Sequence, residues 1–317
     1  MADTYARHGR RGRTPTNAVV LGTRPVTPLL SRSFVSRCLA LGLASAAVSI
    51  VSSSASAQSW RTLDVARQLS DSAPASVQVV YGTGQIGVRA TSKPLLYHMQ
   101  LRYDATRAQP RHTFDVASRK LQIGMQKSEV RFSGRDDADA AHLQLELSRS
   151  APLDLNLDLG AVESDLDLTG LRISRLHVQS GASDAKLRFD SLNPTRMSVL
   201  QVSVGAASFR GDRLANANAA DIRIDAGIGN VELDLGGQWT QDIDLRIDVT
   251  LGIVTIHVPS DVGVRVTLDK TLASFDHEGL IERDGGWVSK NFDSAPHKVR
   301  VTAETVFGKL SIDRTGR

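Results

Sequence analysis

The stretch Pro152–Thr169 reads PLDLNLDLGAVESDLDLT, and its alternation decides the fold. Leu153, Leu155, Leu157 and Leu159 alternate with Asp154, Asn156 and Asp158, the two-residue period of a strand with one apolar face and one acidic face. After Gly160 and a short gap the alternation resumes at Asp165-Leu166-Asp167-Leu168, with the leucines now at even positions. A flat strand would leave one leucine set in water. A bend near Gly160 lets both sets face one core.

The same pattern recurs downstream. RLHVQSGASDAKLRF, VLQVSVGAASFRGD, DIRIDAGIGNVELDL and DLRIDVTLGIVTIHV follow in order, and the corner glycines are Gly160, Gly181, Gly205, Gly227 and Gly252. Apolar parity switches across most of them: Ile222 and Ile224 precede Gly227, whereas Val231, Leu233 and Leu235 follow it. Two degenerate copies, VRVTLDKTLASFDHEG and VRVTAETVFGKLSIDR, come last, and VQVVYGTGQIGVRA repeats the motif upstream. Short units of this kind cannot bury their leucines singly, but stacked about 4.8 Å apart they share one continuous core. The expected fold is all-β: a single-stranded parallel β-solenoid of short coils, nearly free of helices, with an N-terminal β region packed on it or continuous with it. An antiparallel sandwich also accommodates strands spaced about 8–12 residues apart. It gives no reason for a glycine at a fixed period.

Around this centre the chain divides into residues 1–57, a signal peptide with a long n-region; residues 58–149, an N-terminal β region; and residues 150–317, the repeats. Trp60, Leu63, Val65 and Leu69 fit either a strand or a short helix. LLYHMQLRYD and KLQIGM read as strands around a turn-rich region containing Pro110, and residues 133–141 read as a solvated loop. The leader holds seven of the 38 Lys and Arg residues and one of the 34 Asp and Glu residues. The remaining 31 basic and 33 acidic residues balance, so the basic surplus does not point to nucleic acid. LALGLASAAVSIV, residues 39–51, follows Arg32 and Arg37 and precedes Ala55-Ser56-Ala57. It is shorter than the about 20 residues a membrane span needs and matches a signal peptide cleaved after Ala57, an uncleaved anchor being the alternative. Cys38, the only cysteine, stands at the start of that run, where lipid modification does not fit. The mature chain would then carry no thiol and no transmembrane helix, and would be extracytoplasmic: periplasmic, on the outer surface or secreted.

From about Trp60 to Arg317 the chain resembles the bacterial toast-rack domain proteins, β-solenoids related to candidate adhesin domains, on VQVVYGTGQIGVRA, LLYHMQLRYD and PLDLNLDLGAVESDLDLTGLRISRLHVQSGASDAKLRF. VTLGIVTIHVPSDVGVRV and HKVRVTAETVFGKLSIDR resemble the C-terminal domain of the cell-wall-active-antibiotic-response family, the LiaF type. The resemblance implies a role beside an envelope-stress sensor kinase. Those relatives usually follow membrane helices, whereas this chain has only a leader. No catalytic residue comes with the resemblance.

Motifs of chemistry are weak. Gly82, Gly84 and Gly87 form GxGxxG with Asp104 downstream, but a dinucleotide site needs the glycines to open a helix, and VRATSKP alternates instead. Asp165, Asp167, Thr169 and Gly170 imitate a calcium loop that ends on Leu176 rather than Glu. With Asp154, Asp158, Glu232, Asp234, Asp242, Asp244 and Asp248 they read as an outer ladder that could at most recruit calcium weakly. Arg210-Gly211-Asp212 reads as a turn rather than an integrin-type motif. His177 and His257 read as surface residues, and Trp239 and Trp287 as covers for an open core end or as a contact surface. Polysaccharide-cleaving solenoids need long loops that form a cleft, which these repeats lack.

The expectation is therefore a non-catalytic extracytoplasmic binding or scaffold module of the bacterial cell envelope, with no cofactor, metal or nucleic acid. It would recognise an envelope protein or surface polymer along an extended solenoid face. A surface adhesin or regulatory partner of an envelope-stress sensor is the alternative, and a polysaccharide-active enzyme the third reading.

Overall fold

The computed structural model describes residues 59–127, 141–182 and 184–315, all within one compact unit. Cys38, the cleavage residues Ala55 and Ala57, and residues 133–140 of the expected loop lie outside the described residues. In chain order the first strands are β1 (Trp60–Gln68), β2 (Ala75–Ala90), β3 (Leu95–Asp104), β4 (Ala108–Asp115), β5 (Lys120–Lys127), β6 (His142–Leu147), β7 (Pro152–Asp167) and β8 (Arg172–Ser180). They continue as β9 (Ala185–Arg188), β10 (Leu200–Asp212), β11 (Asp221–Asp234), β12 (Ile243–Pro259), β13 (Gly263–Asp276), β14 (Leu280–Arg283), β15 (Gly286–Ser289) and β16 (Lys298–Thr315). Among the described residues the only helical element is a 3-10 turn, Leu214–Ala217.

Each coil is one long bent strand. β7 buries Leu153, Leu155, Leu157 and Leu159, then Val162, Ser164 and Leu166, so Gly160 and Ala161 both face outward and the inward register switches between them. The same switch occurs in β2, β10, β11, β12 and β16. β8 and β9 are the two halves of a coil interrupted at its corner. The coils stack in parallel and in register, in the order β2, β7, β8 with β9, β10, β11, β12. That parallel pairing rules out the antiparallel sandwich for the core.

Both ends depart from a simple solenoid. Outside β2 the next coil consists of β5 against its first half and β6 against its second, although both follow β2 in sequence. β3 then adds antiparallel to β6, and β1 antiparallel to β3. Trp60, Leu63 and Val65 thus lie on a strand, β1, rather than on a helix. The turn-rich region around Pro110 contains β4, antiparallel to β5; the proline is tolerated because β4 pairs on that side alone. At the other end β16 lies between β12 and β13, so the last two coils are stacked in the reverse of their chain order. β15 and β14 finish the sheet antiparallel. Antiparallel caps at both ends stop a second solenoid from continuing the parallel stack.

Stacking explains the glycines. Gly82, Gly160, Gly181, Gly205 and Gly227 stand one above another at the corner. A Cβ on Gly160 would strike the carbonyl oxygen of Gly82, one on Gly205 that of Gly181, and one on Gly227 that of Gly205. The column then steps sideways by two residues. Gly252 pairs with Gly229 and Gly308, which leaves Thr250 level with Gly227. Gly308 has φ +143, a conformation open to glycine alone.

At the opposite turns, buried asparagines stitch coil to coil. Asn193 is 1% exposed; its Oδ1 accepts from Ile173 N (3.1 Å), and its Nδ2 donates to Ile173 O (2.8 Å) and Ala217 O (3.1 Å). Asn216 donates to Phe189 O (2.8 Å) and accepts from Gln238 N (2.7 Å). These bonds satisfy turn backbone that strand pairing does not reach. Trp239 packs on the core, donates to Leu235 O (3.0 Å) and stacks on His297. Trp287, in β15, packs edge-on against Phe275 at 5.0 Å and covers the core end.

Leu157→Asp or Leu233→Asp, at fully buried positions, is expected to cost at least about 4 kcal/mol by urea denaturation, because each buries an unpaired charge. Asn156→Asp, on the exposed face, should stay within about 0.5 kcal/mol of the parent. Gly205→Ala should cost about 1–3 kcal/mol by overpacking. Gly124→Ala, whose Cβ would sit 3.5 Å from Val80 O, should be close to neutral in the same assay.

Candidate functional site

Large side chains that the core could not take gather at the coil corner. In β11, β12 and β16 the residues between the two inward registers point out, and pairing sets Ile228, Leu251 and Phe307 level with one another. They are 55%, 46% and 46% exposed, and Ile253, two residues beyond Leu251, is 49% exposed. Val80, Val116 and Ile281 are also exposed, but this ridge repeats aliphatic and aromatic side chains on neighbouring coils at the inter-strand distance of about 4.8 Å.

Three residues before the ridge, on the same coils, runs a row of acids. Asp225 pairs with Asp248, and Asp248 with Glu304; Ser203 and Gln179 continue the row on β10 and β8. Between the row and the ridge lies a shallow groove of about 560 Å³, floored by Gly181, Gly205 and Gly227 and walled by Asp225, Asp248, Glu304, Thr250 and Val306. Without side chains on the glycines, the floor is bare backbone.

The acids of this row stand level with one another, whereas several outward acids elsewhere are paired with arginines. Asp154 meets Arg175, Asp167 meets Arg188, Glu232 meets Arg210, and Asp242 meets Arg300, each across a coil boundary. Among the described residues no ion pair involves Asp225, Asp248 or Glu304. Asp225 accepts from Ser203 Oγ (2.9 Å). Loss of solvent around the carboxyl, followed by repulsion from Asp225 and Glu304, holds Asp248 above the usual carboxylate range. The row is thus a run of like charges with no ion pair of its own; the nearby Arg223 attracts Asp225 from a distance but is held by Asp221 at 2.8 Å.

Other residues singled out by sequence serve the fold. Gly82, Gly84 and Gly87 lie within β2 and open no helix. Asp104 is buried and accepts from Thr106 N, Thr106 Oγ1 and Ser59 N. Asp167 accepts from Arg188 and from Thr169 N, and among the described residues no group of three His, Cys, Asp or Glu could hold a metal ion. Arg210-Gly211-Asp212 is strand rather than turn. Arg210 is held by Asp212 (2.8 Å) and Glu232 (2.7 Å), and a Cβ on Gly211 would meet Leu214. His257 bridges Glu232 and Asp313 across coils. A second hollow, of about 460 Å³ over Gly87, has its arginines engaged: Arg89 with Glu146 and Arg188 with Asp167.

Asp248 was visible in the sequence as one acid of a ladder. Alternation groups Leu251 with Ile247 and Val249 as an inward residue, but the strand has already begun to bend there and Leu251 is 46% exposed; Asp225, Glu304, Ile228 and Phe307 were missed. Aligning the coils on Val231, Val254 and Leu310, the first inward residues after the corner, would have brought both rows into register.

Residues 54–208 match the family model described as the N-terminal domain of toast_rack, DUF2154. The expected likeness of the C-terminal part to the LiaF type lies beyond those residues. Of the curated proteins compared, none matches this chain. Among solved structures, the chain is similar to a candidate cell adhesion protein from Clostridium sporogenes, at 13% identity and a TM-score of 0.44, over 81% of this chain and 100% of the other. It is also similar to a candidate adhesin from Bacteroides fragilis, at 12% identity and a TM-score of 0.37, over 79% and 96%. Among the described residues no helix is long and apolar enough to cross a membrane.

A carboxyl whose pKa is raised by folding favours the folded state when protonated, and that contribution is lost as pH rises through the carboxylate range. Asp248→Asn should therefore match the parent's thermal midpoint near about pH 3 and exceed it progressively toward about pH 7. A series of melting curves across that range reads the gap.

Proposed function

Because this chain belongs to the toast-rack family through residues 54–208, we propose that it is a non-catalytic binding module of the bacterial cell envelope. It takes its partner along the coil corner, where Ile228, Leu251 and Phe307 stand exposed beside Asp225, Asp248 and Glu304. The observation that carries the reading is the in-register ridge. A solenoid can spread large apolar side chains over its surface at little cost, but here they are collected on neighbouring coils at one corner, beside a groove, as a recognition surface requires.

The extracytoplasmic setting rests on the leader: Arg32 and Arg37, the apolar run 39–51 and the Ala55-Ser56-Ala57 end. The groove is shallow and open, as suits a surface that meets a polymer or a protein rather than one that encloses a small molecule.

The full chain carrying Leu251→Ser with Phe307→Ser should lose at least about tenfold in cosedimentation with isolated cell envelopes. Its melting temperature should stay within a few degrees of the parent, since both positions face solvent. Retention of envelope binding by that variant would overturn the assignment of this face.

A further inference from the structure

We infer that the corner groove receives an extended polypeptide segment in which basic and apolar residues alternate, an inference that rests on the binding role proposed above. Its two sides differ in chemistry: carboxylates of Asp225, Asp248 and Glu304 line one, Gly227, Thr250 and Val306 the other, and the exposed ridge of Ile228, Leu251 and Phe307 begins one residue beyond that second side. Acids and ridge stand three residues apart along each strand, at most about 10 Å at the strand rise, with the corner between them. An extended chain laid across the coils sends successive side chains to opposite sides. One set meets the acids and the other meets the ridge. From Gln179 to Glu304 the groove crosses β8, β10, β11, β12 and β16, about 19 Å at the inter-strand spacing, which about six extended residues span.

Charge decides among the occupants. A second copy seated symmetrically on this face would set one acidic row near another, and like charges across an interface are disfavoured. An anionic membrane surface would meet the same row and be repelled while the ridge sought the acyl region. A cationic chain instead offsets the mutual repulsion of Asp225, Asp248 and Glu304, which stand level with one another. The glycine floor lets its backbone approach closely: Gly205 and Gly227 present no side chain, and a Cβ there would already collide with the neighbouring coil. Ile253 and Lys309, level with each other beyond the ridge, bound the apolar side. Lys309 is held by Asp276 at 3.3 Å, and Arg223 and Arg246, two residues before Asp225 and Asp248, are both held by Asp221, so a cation placed directly on the acidic row has to come from the partner.

The test uses the full chain and a dye-labelled peptide, Lys-Val-Lys-Val-Lys-Val-Lys, followed by fluorescence anisotropy at low and moderate salt. Controls are the charge-reversed Glu-Val peptide and a block-ordered Lys-Lys-Lys-Lys-Val-Val-Val peptide. The alternating basic peptide should bind at least about tenfold tighter than either control. The triple change Asp225→Asn, Asp248→Asn and Glu304→Gln should weaken it by a similar factor, as should Leu251→Ser alone. The triple change removes repulsion and keeps side-chain shape, so a melting curve at or above the parent's separates lost binding from lost fold. Equal affinity for the block-ordered or charge-reversed peptide, or indifference to the triple change, overturns the inference. So does a parent that sediments as a dimer while Leu251→Ser is monomeric, or a chain that binds phosphatidylglycerol vesicles through Leu251 but not the peptide. If envelope binding depends on Leu251 and Phe307 while the peptide does not bind, the peptide inference fails and the wider binding role stands.

Discussion

Every coil of this protein is bound to its neighbours by parallel, in-register backbone hydrogen bonds, and the rest of the structure follows from keeping that register through a bend. A strand that turns a corner must bring two backbones together where side chains would normally hold them apart. Glycine is the residue that permits it, and the column from Gly82 to Gly227 is the result. Because the register holds on both sides of the bend, the switch of inward parity at Gly160 recurs in each coil that stacks on it, and leucine, isoleucine and valine fill one continuous interior. Stability then grows coil by coil through nearest neighbours.

The same register acts on the outer faces. Residues at equivalent positions of successive coils become permanent neighbours, so a chance preference for Asp or for Ile at one position turns into a row. Several acidic positions are balanced by arginines one coil away, as Asp154 is by Arg175 and Glu232 by Arg210. Exposed pairs of this kind contribute little stability each, but they leave the surface electrically mixed. The row Asp225, Asp248, Glu304 escapes that balance beside the apolar ridge, and the proposed function depends on that coincidence.

Much of this could be read in the residues. The alternation in PLDLNLDL, the parity change after Gly160 and the glycine period identify bent strands that share a core, since burying both leucine sets leaves few other solutions. The order of coils at the ends was not legible. VRVTLDKTLASFD and VRVTAETVFGKLSID are near-equivalent as strands, and pattern alone does not say which one sits against β12. The sideways step of the glycine column between Gly227 and Gly252 was hidden for the same reason: both residues are corner glycines, and only pairing shows that Gly252 answers Gly229. The asparagines at the turns were overlooked because a single Asn in a polar loop carries no periodic signal, whereas in space Asn193 and Asn216 close the hydrogen-bonding gaps between coils.

The placement of β16 between β12 and β13 constrains how the molecule can be assembled. Ile243 on β12 finds its partner at Val299, and Val264 on β13 also pairs with Val299, so both strands wait for a segment that emerges later from the ribosome. β16 fills the place between them as a keystone fills an arch. Coil-by-coil growth from the amino-terminal side therefore stops at β12. Closure there is a long-range step, slow by its loop entropy, and once made it leaves neither β12 nor β13 with an open edge toward the other.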